Sequence, residues 1–559
     1  MKRLFIFFYL LIAFQINASI KILNENWIFK NGDGETWLKA KIPGTIHTDL
    51  LDNRIIEDPF WRDNEKDLQW ISTLDWEYKT AFQLSYQELK SQKIILQFDG
   101  LDTYADVYLN NEKILEANNM FRIYKVDVKN KLKNQNTLHI VFHNINKITD
   151  SLATSKGLKY PCENNRNMVR KAQYNFGWDW APTLVNCGVW RNIKLLLDEE
   201  EPINKANYSS IKLIQQKDSI GQSFYFTIDG KPTFMKGANW VPADVFLPRV
   251  TREKYRSLLV AAKEANLNML RVWGGGIYEA DDFYELCDSL EIYVWQDFMF
   301  AGAMYPADKS SLENIKQEAI DNILRLRKYK CIALWCGNNE IDEAWNNWGW
   351  QKQFQINGRD SFTLWVEYQK IFNELLPSLV QQYDSGRSYI ASSPLYGWGR
   401  SQSMTHGDSH YWGMWWGKYP IEIMKEKVPR FISEFGMQSM PNMESYSNFL
   451  LPQDYDIQSK ALSNHQKFKN GFETIEHYLQ NESLEYHDFE SYVNATQELQ
   501  SKAIETSLNA QLNSNAYCMG SLWWQFNDCW PSCSWSLIDY YGNKKKGYFM
   551  MRKLFDPKK

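Results

Sequence analysis

The chain reads as a multidomain protein, an N-terminal jelly-roll β-sandwich followed by a (β/α)8 barrel of the TIM type. Three observations lead there. Residues 20 to 198 carry short alternating or apolar runs split by polar turns, beyond residue 222 the rhythm changes to strand, loop and helix, and that second rhythm repeats through eight units. A chain of 559 residues is also too long for one ordinary core.

Taken in order, Met1-Lys2-Arg3 and the apolar run Leu4 to Phe14 form the charged and hydrophobic regions of a signal peptide, 1–18, with Ile16-Asn17-Ala18 offering cleavage before Ser19. Export is expected, periplasmic or secreted in a bacterium, lysosomal or secreted in a eukaryote. No later stretch approaches the roughly 20 apolar residues of a membrane span, so no membrane association is expected after processing. No cysteine near the cleavage site supports a lipid anchor.

Residues 19–198 form the sandwich, a sugar-binding-like domain. Its strands are read at Lys93 to Phe98, Ala105 to Leu109, Thr137 to Phe142 and Trp190 to Leu196, with Asn110-Asn111 and Lys133 to Asn136 as turns. The stretch 199–221 opens on Asp198-Glu199-Glu200-Glu201-Pro202 and has little apolar period, which predicts a linker. The barrel, 222–559, has its strands at Phe234 to Trp240, Met269 to Trp273, Ile292 to Asp297, Cys331 to Cys336, Tyr389 to Ser393, Asp408 to Trp412, Phe431 to Glu434 and Gly520 to Phe526.

Composition narrows the function. A net charge of -4 offers no basic face to nucleic acid. The 24 Trp and 31 Tyr fill cores, but those recurring beside polar strand ends suit the C–H face of a sugar. Eight cysteines in so long a chain form no dense disulfide framework. Of eight histidines none stands at His-x-x-x-His spacing with a Glu between, so no metal or cofactor is expected. Gly274-Gly275-Gly276 lacks phosphate-loop spacing, and no Gly-x-Ser-x-Gly elbow is present.

Glu340 ends the fourth barrel strand and Glu434 the seventh, both at the face where barrel enzymes keep their sites. Two carboxylates so placed are the equipment for glycosidic bond cleavage. Retention requires them about 5 to 5.5 Å apart and inversion several Å more. Asn339, beside Glu340, is placed to donate to a sugar hydroxyl, whereas Asn338 reads as a turn residue. Arg271 at the second strand end requires a buried partner, and Asp297 at the third is the candidate. Asp342, Glu343 and Glu279 read as solvated helix starts.

Six runs, Lys236 to Asp244, Arg271 to Gly276, Val294 to Phe298, Trp335 to Glu340, Ser433 to Gly436 and Trp524 to Pro531, together with Gln173 to Pro182 in the sandwich, resemble the β-mannosidases of glycoside hydrolase family 2. The resemblance implies a retaining exo-glycosidase that removes terminal β-linked mannose from short oligosaccharides, with Glu340 as proton donor, Glu434 as nucleophile and Asn339 on the 2-hydroxyl. Trp273, Trp348 and Trp524 would line the mannose subsite, with Trp178, Asp179 and Trp180 closing it from the sandwich. Trp416 stands where the family presents a polar aromatic near the nucleophile, with Tyr411 and His410 as substitutes. The family's middle immunoglobulin-like domain has only the 199–221 connector in its place here, and its C-terminal β domains have no counterpart. Two other readings stand beside this one: a glycan-binding remnant without turnover, and a related β-galactosidase or β-glucosaminidase.

Overall fold

The computed structural model describes residues 19–199 and 203–558; the signal-peptide reading lies outside them. The sandwich is built from a sheet of Ser19–Ile22, Ile193–Leu197, Ile94–Phe98 and Tyr124–Asp127, facing a larger one of Leu38–Lys39, Ile28–Asn31, Trp76–Gln83, Gln135–Phe142, Tyr104–Leu109 and Glu112–Asn118. Within the larger sheet, Gln135–Phe142 buries Asn136, Leu138, Ile140 and Phe142 while the residues between stay partly exposed. That period of two keeps one face on the core and sets the register.

The barrel strands are labelled β1 Met235–Trp240, β2 Met269–Val272, β3 Tyr293–Asp297, β4 Ile332–Cys336, β5 Ser388–Ile390, β6 Ser409–His410, β7 Ile432–Glu434 and β8 Gly520–Trp523. They form one parallel sheet in the order β5-β4-β3-β2-β1-β8-β7-β6. β2 and β4 are buried at every position, as strands enclosed by helices on one side and a packed interior on the other must be. The helix Arg252–Glu264 follows β1, its N-terminus capped by the Thr251 side chain on Lys254 N; Asp281–Leu290 follows β2 and Lys309–Leu326 follows β3. The carboxyl ends of the strands therefore share one face.

The stretch expected to be a plain linker contains a strand. Lys212–Ile214 pairs with Tyr225–Ile228, which pairs with Lys231–Thr233. Ile211, Phe224 and Phe226 pack on Met235, Met269 and Phe431, at the amino ends of β1, β2 and β7, so these strands stopper the barrel opposite the face that carries the strands' carboxyl ends. A three-residue strand carries no local period, and only the barrel interior supplies its apolar partner. All eight cysteines are unbonded, with Cys331, Cys336, Cys529 and Cys533 buried. Among the described residues no helix is long and apolar enough to cross a membrane.

Candidate active site

Glu340, His410 and Glu434 close β4, β6 and β7 or follow them directly, and parallel pairing delivers all three to one place. A carboxylate oxygen of each glutamate and a ring nitrogen of His410 lie within 4.8 Å of one another. Glu340 adopts φ 65°, a left-handed conformation that costs a side chain of this kind about 1 kcal/mol or more and is held only where neighbours dictate it. The neighbours are visible: Glu340 N donates to Ser393 O at 2.8 Å and Asn339 N to Phe300 O at 2.9 Å, stitching the turn to the loops after β3 and β5.

Arg271 organises the charges. It is fully buried; Nη1 donates to Glu434 Oε1 at 2.6 Å, while Nη2 donates to Asp297 Oδ2 at 2.9 Å and to Asn339 Oδ1 at 2.8 Å. Burial works against its charge, but Asp297 and Glu434 outweigh that and raise its pKa, so it stays a cation. The expected Arg271–Asp297 pair is present. Asn339 Nδ2 donates to Glu340 Oε2 at 3.2 Å, which leaves its second N–H for a ligand. Asn338 is structural: Oδ1 accepts from Ile341 N and Nδ2 donates to Ala391 O.

Burial pushes Glu340 up to about 7 against the pull of Arg271 and Asn339. It also raises Glu434 to about 7, with His410 and Arg271 opposing and Glu340 adding to the rise. The direct ion pair reaches Glu434 alone, so in this coupled pair Glu434 ionises first and Glu340 keeps the proton. Burial lowers His410 to about 4, so the ring is neutral at physiological pH. Nδ1 faces Glu340 Oε1 at 2.8 Å and Glu434 Oε2 at 3.3 Å, which assigns the ring proton to that nitrogen. The histidine thus bridges both carboxylates, a role its strand-end position hints at but no spacing reveals.

The sandwich completes the wall. Trp178 meets Trp273 with ring centroids 4.9 Å apart, and Trp273 meets Trp524 at 5.6 Å, both edge to face. Trp180 packs on Trp273 and Trp524 at 5.5 and 6.4 Å; these three rings are buried, and Trp178 is the partly exposed one of the group. Asp179 is partly exposed through the pocket; its Oδ1 is buried and has no hydrogen-bond partner within the chain. Burial, then the charges of Glu340 and Glu434, push it up to about 8, which places its carboxyl in the same electrostatic field.

This docking needs no intermediary domain. The Arg166 guanidinium lies over Trp178 at 4.7 Å and donates to Ala301 O and Gly302 O, each at 3.1 Å. Asn167 Nδ2 donates to Met304 O at 2.6 Å, and Arg170 clasps buried Glu318 through Nε at 2.8 Å and Nη2 at 2.7 Å. Gly302, whose N–H reaches Asn339 O at 3.1 Å, lets Trp178 approach: a Cβ there would sit 3.3 Å from the ring.

Two expected subsite residues stand outside this aromatic cluster. Trp348 is 48% exposed and packs on Trp350, and Trp416 is 55% exposed and packs on Phe468; neither ring contacts the Trp178–Trp273–Trp524 cluster. Both sit on loops beyond the strand ends, where sequence distance to a glutamate says little about reach. Tyr411 is buried, and its backbone N–H donates to Glu434 O. Glu343 and Glu279 are buried rather than solvated. Glu343 pairs with Arg400 at 2.7 Å, and Glu279 accepts from Trp240 Nε1 at 2.9 Å and from Tyr255 OH at 2.5 Å.

Residues 27–191 match the family described as glycosyl hydrolase 2 galactose-binding domain-like. Across 96% of its length the chain is 29% identical to a β-mannosidase of Mus musculus and 30% identical to β-mannosidase B of Aspergillus terreus, covering 76% of each. The β-D-mannosidase of Dictyoglomus thermophilum superposes with a TM-score of 0.88 at 34% identity, over 96% of this chain and 78% of that one. The span aligned with the mouse protein runs to 676 positions against 559 residues here, which fits an internal segment missing from this chain.

Proposed function

Because the chain belongs to the β-mannosidases of glycoside hydrolase family 2, we propose that this glycoside hydrolase removes terminal, non-reducing β-mannosyl residues from short oligosaccharides with retention of configuration. The observation that carries the mechanism is the separation of the two glutamates. Carboxylate oxygens within 4.8 Å suit direct attack on the anomeric carbon and leave no room for a water between base and sugar, which inversion needs.

In the first half-reaction an oxygen of Glu434 bonds to C1, the C1–O bond to the leaving group breaks, and the proton on Glu340 passes to the departing oxygen. In the second, water attacks C1, gives its proton to Glu340, and the C1–Glu434 bond breaks. Arg271 supports this order, since it holds Glu434 ionised at 2.6 Å while burial keeps Glu340 protonated. Asn339 offers its free N–H to the 2-hydroxyl as positive charge spreads toward the ring oxygen. Asp179 offers an unsatisfied oxygen to a hydroxyl on the far side of the sugar, and the Trp178, Trp273 and Trp524 rings give the mannose an apolar wall.

The purified protein, given nitrophenyl β-mannoside, β-galactoside and β-glucoside side by side with Glu434→Ala as control, should prefer the mannoside and release β-mannose first by NMR. Equal rates on the three, an α anomer as first product, or an active Glu434→Ala would each refute the reading.

A further inference from the structure

The barrel is not uniformly wrapped. Residues 391–408, between β5 and β6, form no helix, and those two strands share no ladder. The seam is tied instead by side chains and by the connector: Leu395 N donates to Asp408 Oδ1 at 2.9 Å, Gln222 N to Thr405 O at 3.0 Å and Gly407 N to Gln222 O at 3.1 Å. Against this uncovered flank lies a cavity of about 640 Å³, within the roughly 300–1,000 Å³ of small-molecule sites. None of Glu340, His410, Glu434 or the tryptophan wall lines it.

Its lining tells what it would accept. Gln215 and Gln222 come from the connector, Asn346 from the helix Ile341–Asn347, Asn373 from the π-helical turn Lys370–Leu375 and Tyr396 from the seam. A missing barrel helix would leave an apolar groove, because such helices bury an apolar stripe; this groove is rich in amides. The two charged residues that line it cancel each other, since Arg400 meets Asp342 at 2.8 Å, so no net charge of the lining recruits an ion. Amides that both donate and accept, with a tyrosine ring beside them, match neutral polyhydroxy ligands.

We infer that this cavity is a second saccharide-binding site, on the flank of the barrel, for a short neutral oligosaccharide. It shares a wall with the catalytic centre: Ser392 lines the cavity, and the next residue, Ser393, holds the Glu340 N–H.

The test is calorimetric titration of the Glu434→Ala protein with β-1,4-mannobiose and, separately, with mannose. Mannobiose should fill two sites per chain. Adding Trp273→Ala should remove one of them; adding Gln215→Ala or Asn373→Trp, both at exposed positions, should remove the other. With Glu434 intact, Asn373→Trp should leave nitrophenyl mannoside turnover within about twofold, since an exposed side chain off the reaction path contributes little. A site that takes mannose as tightly as mannobiose holds free product; one that needs mannobiose holds a chain. Binding at a single site, or a second site indifferent to both cavity substitutions, overturns the inference. Failure of the native protein on every glycoside would instead refute the catalytic reading and leave the cavity stoichiometry to be judged by itself.

Discussion

Arg271 Nη1 lies 2.6 Å from Glu434 Oε1, and the other terminal nitrogen of the same guanidinium turns to Asp297 and Asn339, so the cation is committed to one of the two glutamates. Both carboxyls are lifted to about 7 by burial, and they titrate as a pair. In the proposed mechanism the active form carries one proton, on Glu340. kcat/KM should therefore be bell-shaped in pH, falling on the alkaline side as Glu340 deprotonates and on the acid side as Glu434 takes up a proton. A rate that stays flat from about pH 5 to 9 would contradict the assignment.

Glu340→Ala should lower kcat/KM for a mannobioside by about 10²–10⁴-fold, the usual yield of a general acid. Against dinitrophenyl β-mannoside, whose leaving group needs no proton, glycosyl-enzyme formation should survive and azide should restore turnover. Glu434→Ala should form no glycosyl-enzyme, and any azide product should be the α-mannosyl azide, against the β-mannosyl azide from Glu340→Ala. Identical behaviour of the two variants would sink the division of roles.

Asp179 links catalysis to stability. Its folded-state carboxyl is raised to about 8, well above the roughly 3.9 of an unfolded chain, so between those values the folded protein binds a proton that the unfolded chain lacks. This contribution is most favourable at low pH and is lost as pH rises toward 8. Asp179→Asn should raise Tm relative to the parent at about pH 8, flatten that part of the pH–stability curve, and cut mannoside turnover at least about tenfold. Unchanged kinetics would mean that the sandwich does not complete the pocket.

Arg170→Met strips buried Glu318 of its cation, a loss of about 3–5 kcal/mol, and should appear in calorimetry as a sandwich that unfolds ahead of the barrel. Arg166→Ala removes the guanidinium beneath Trp178 and should raise KM severalfold with a smaller change in kcat. Arg166→Lys restores the charge but not the flat face, so KM should remain high.

The tryptophans should separate into two classes. Trp273→Ala opens the wall shared by Trp178, Trp180 and Trp524 and should cost at least about a hundredfold in kcat/KM on nitrophenyl mannoside, the scale of a misplaced substrate. Trp348→Ala and Trp416→Ala, both half-exposed, should change the same quantity less than about threefold. Comparable losses at all three positions would return Trp348 and Trp416 to the mannose subsite.

The eight barrel strands were legible because each is an apolar run followed by polar chemistry, and that same texture marked Glu340, Glu434 and the Arg271–Asp297 pair. What escaped were relationships made only by closure of the sheet. Glu343 sits one residue after Asp342 at a helix start and both meet Arg400, yet one is buried and the other partly exposed, because the seam loop lays the Gly397 N–H on Glu343. His410 had only its strand end to mark it, and its two carboxylate partners lie 70 and 24 positions away in the chain. Lys212–Ile214 was hidden for the same reason: its pairing with Tyr225–Ile228 and the packing of Leu213 depend on the closed base of the barrel rather than on its own sequence.

The loop that seals the pocket is made long before its seat. Trp180 rests on Trp524, its carbonyl accepts from Trp530 Nε1 at 3.0 Å, and both partners lie at or beyond the end of β8. A ribosome emits the sandwich first, so Trp178 and Trp180 wait for the rest of their seat through the synthesis of nearly the whole barrel. Chains interrupted before residue 524 would hold that aromatic loop against Trp273 alone, with the Trp524 and Trp530 side of its seat missing. Until the last strand arrives, the aromatic loop of the finished pocket is only half seated.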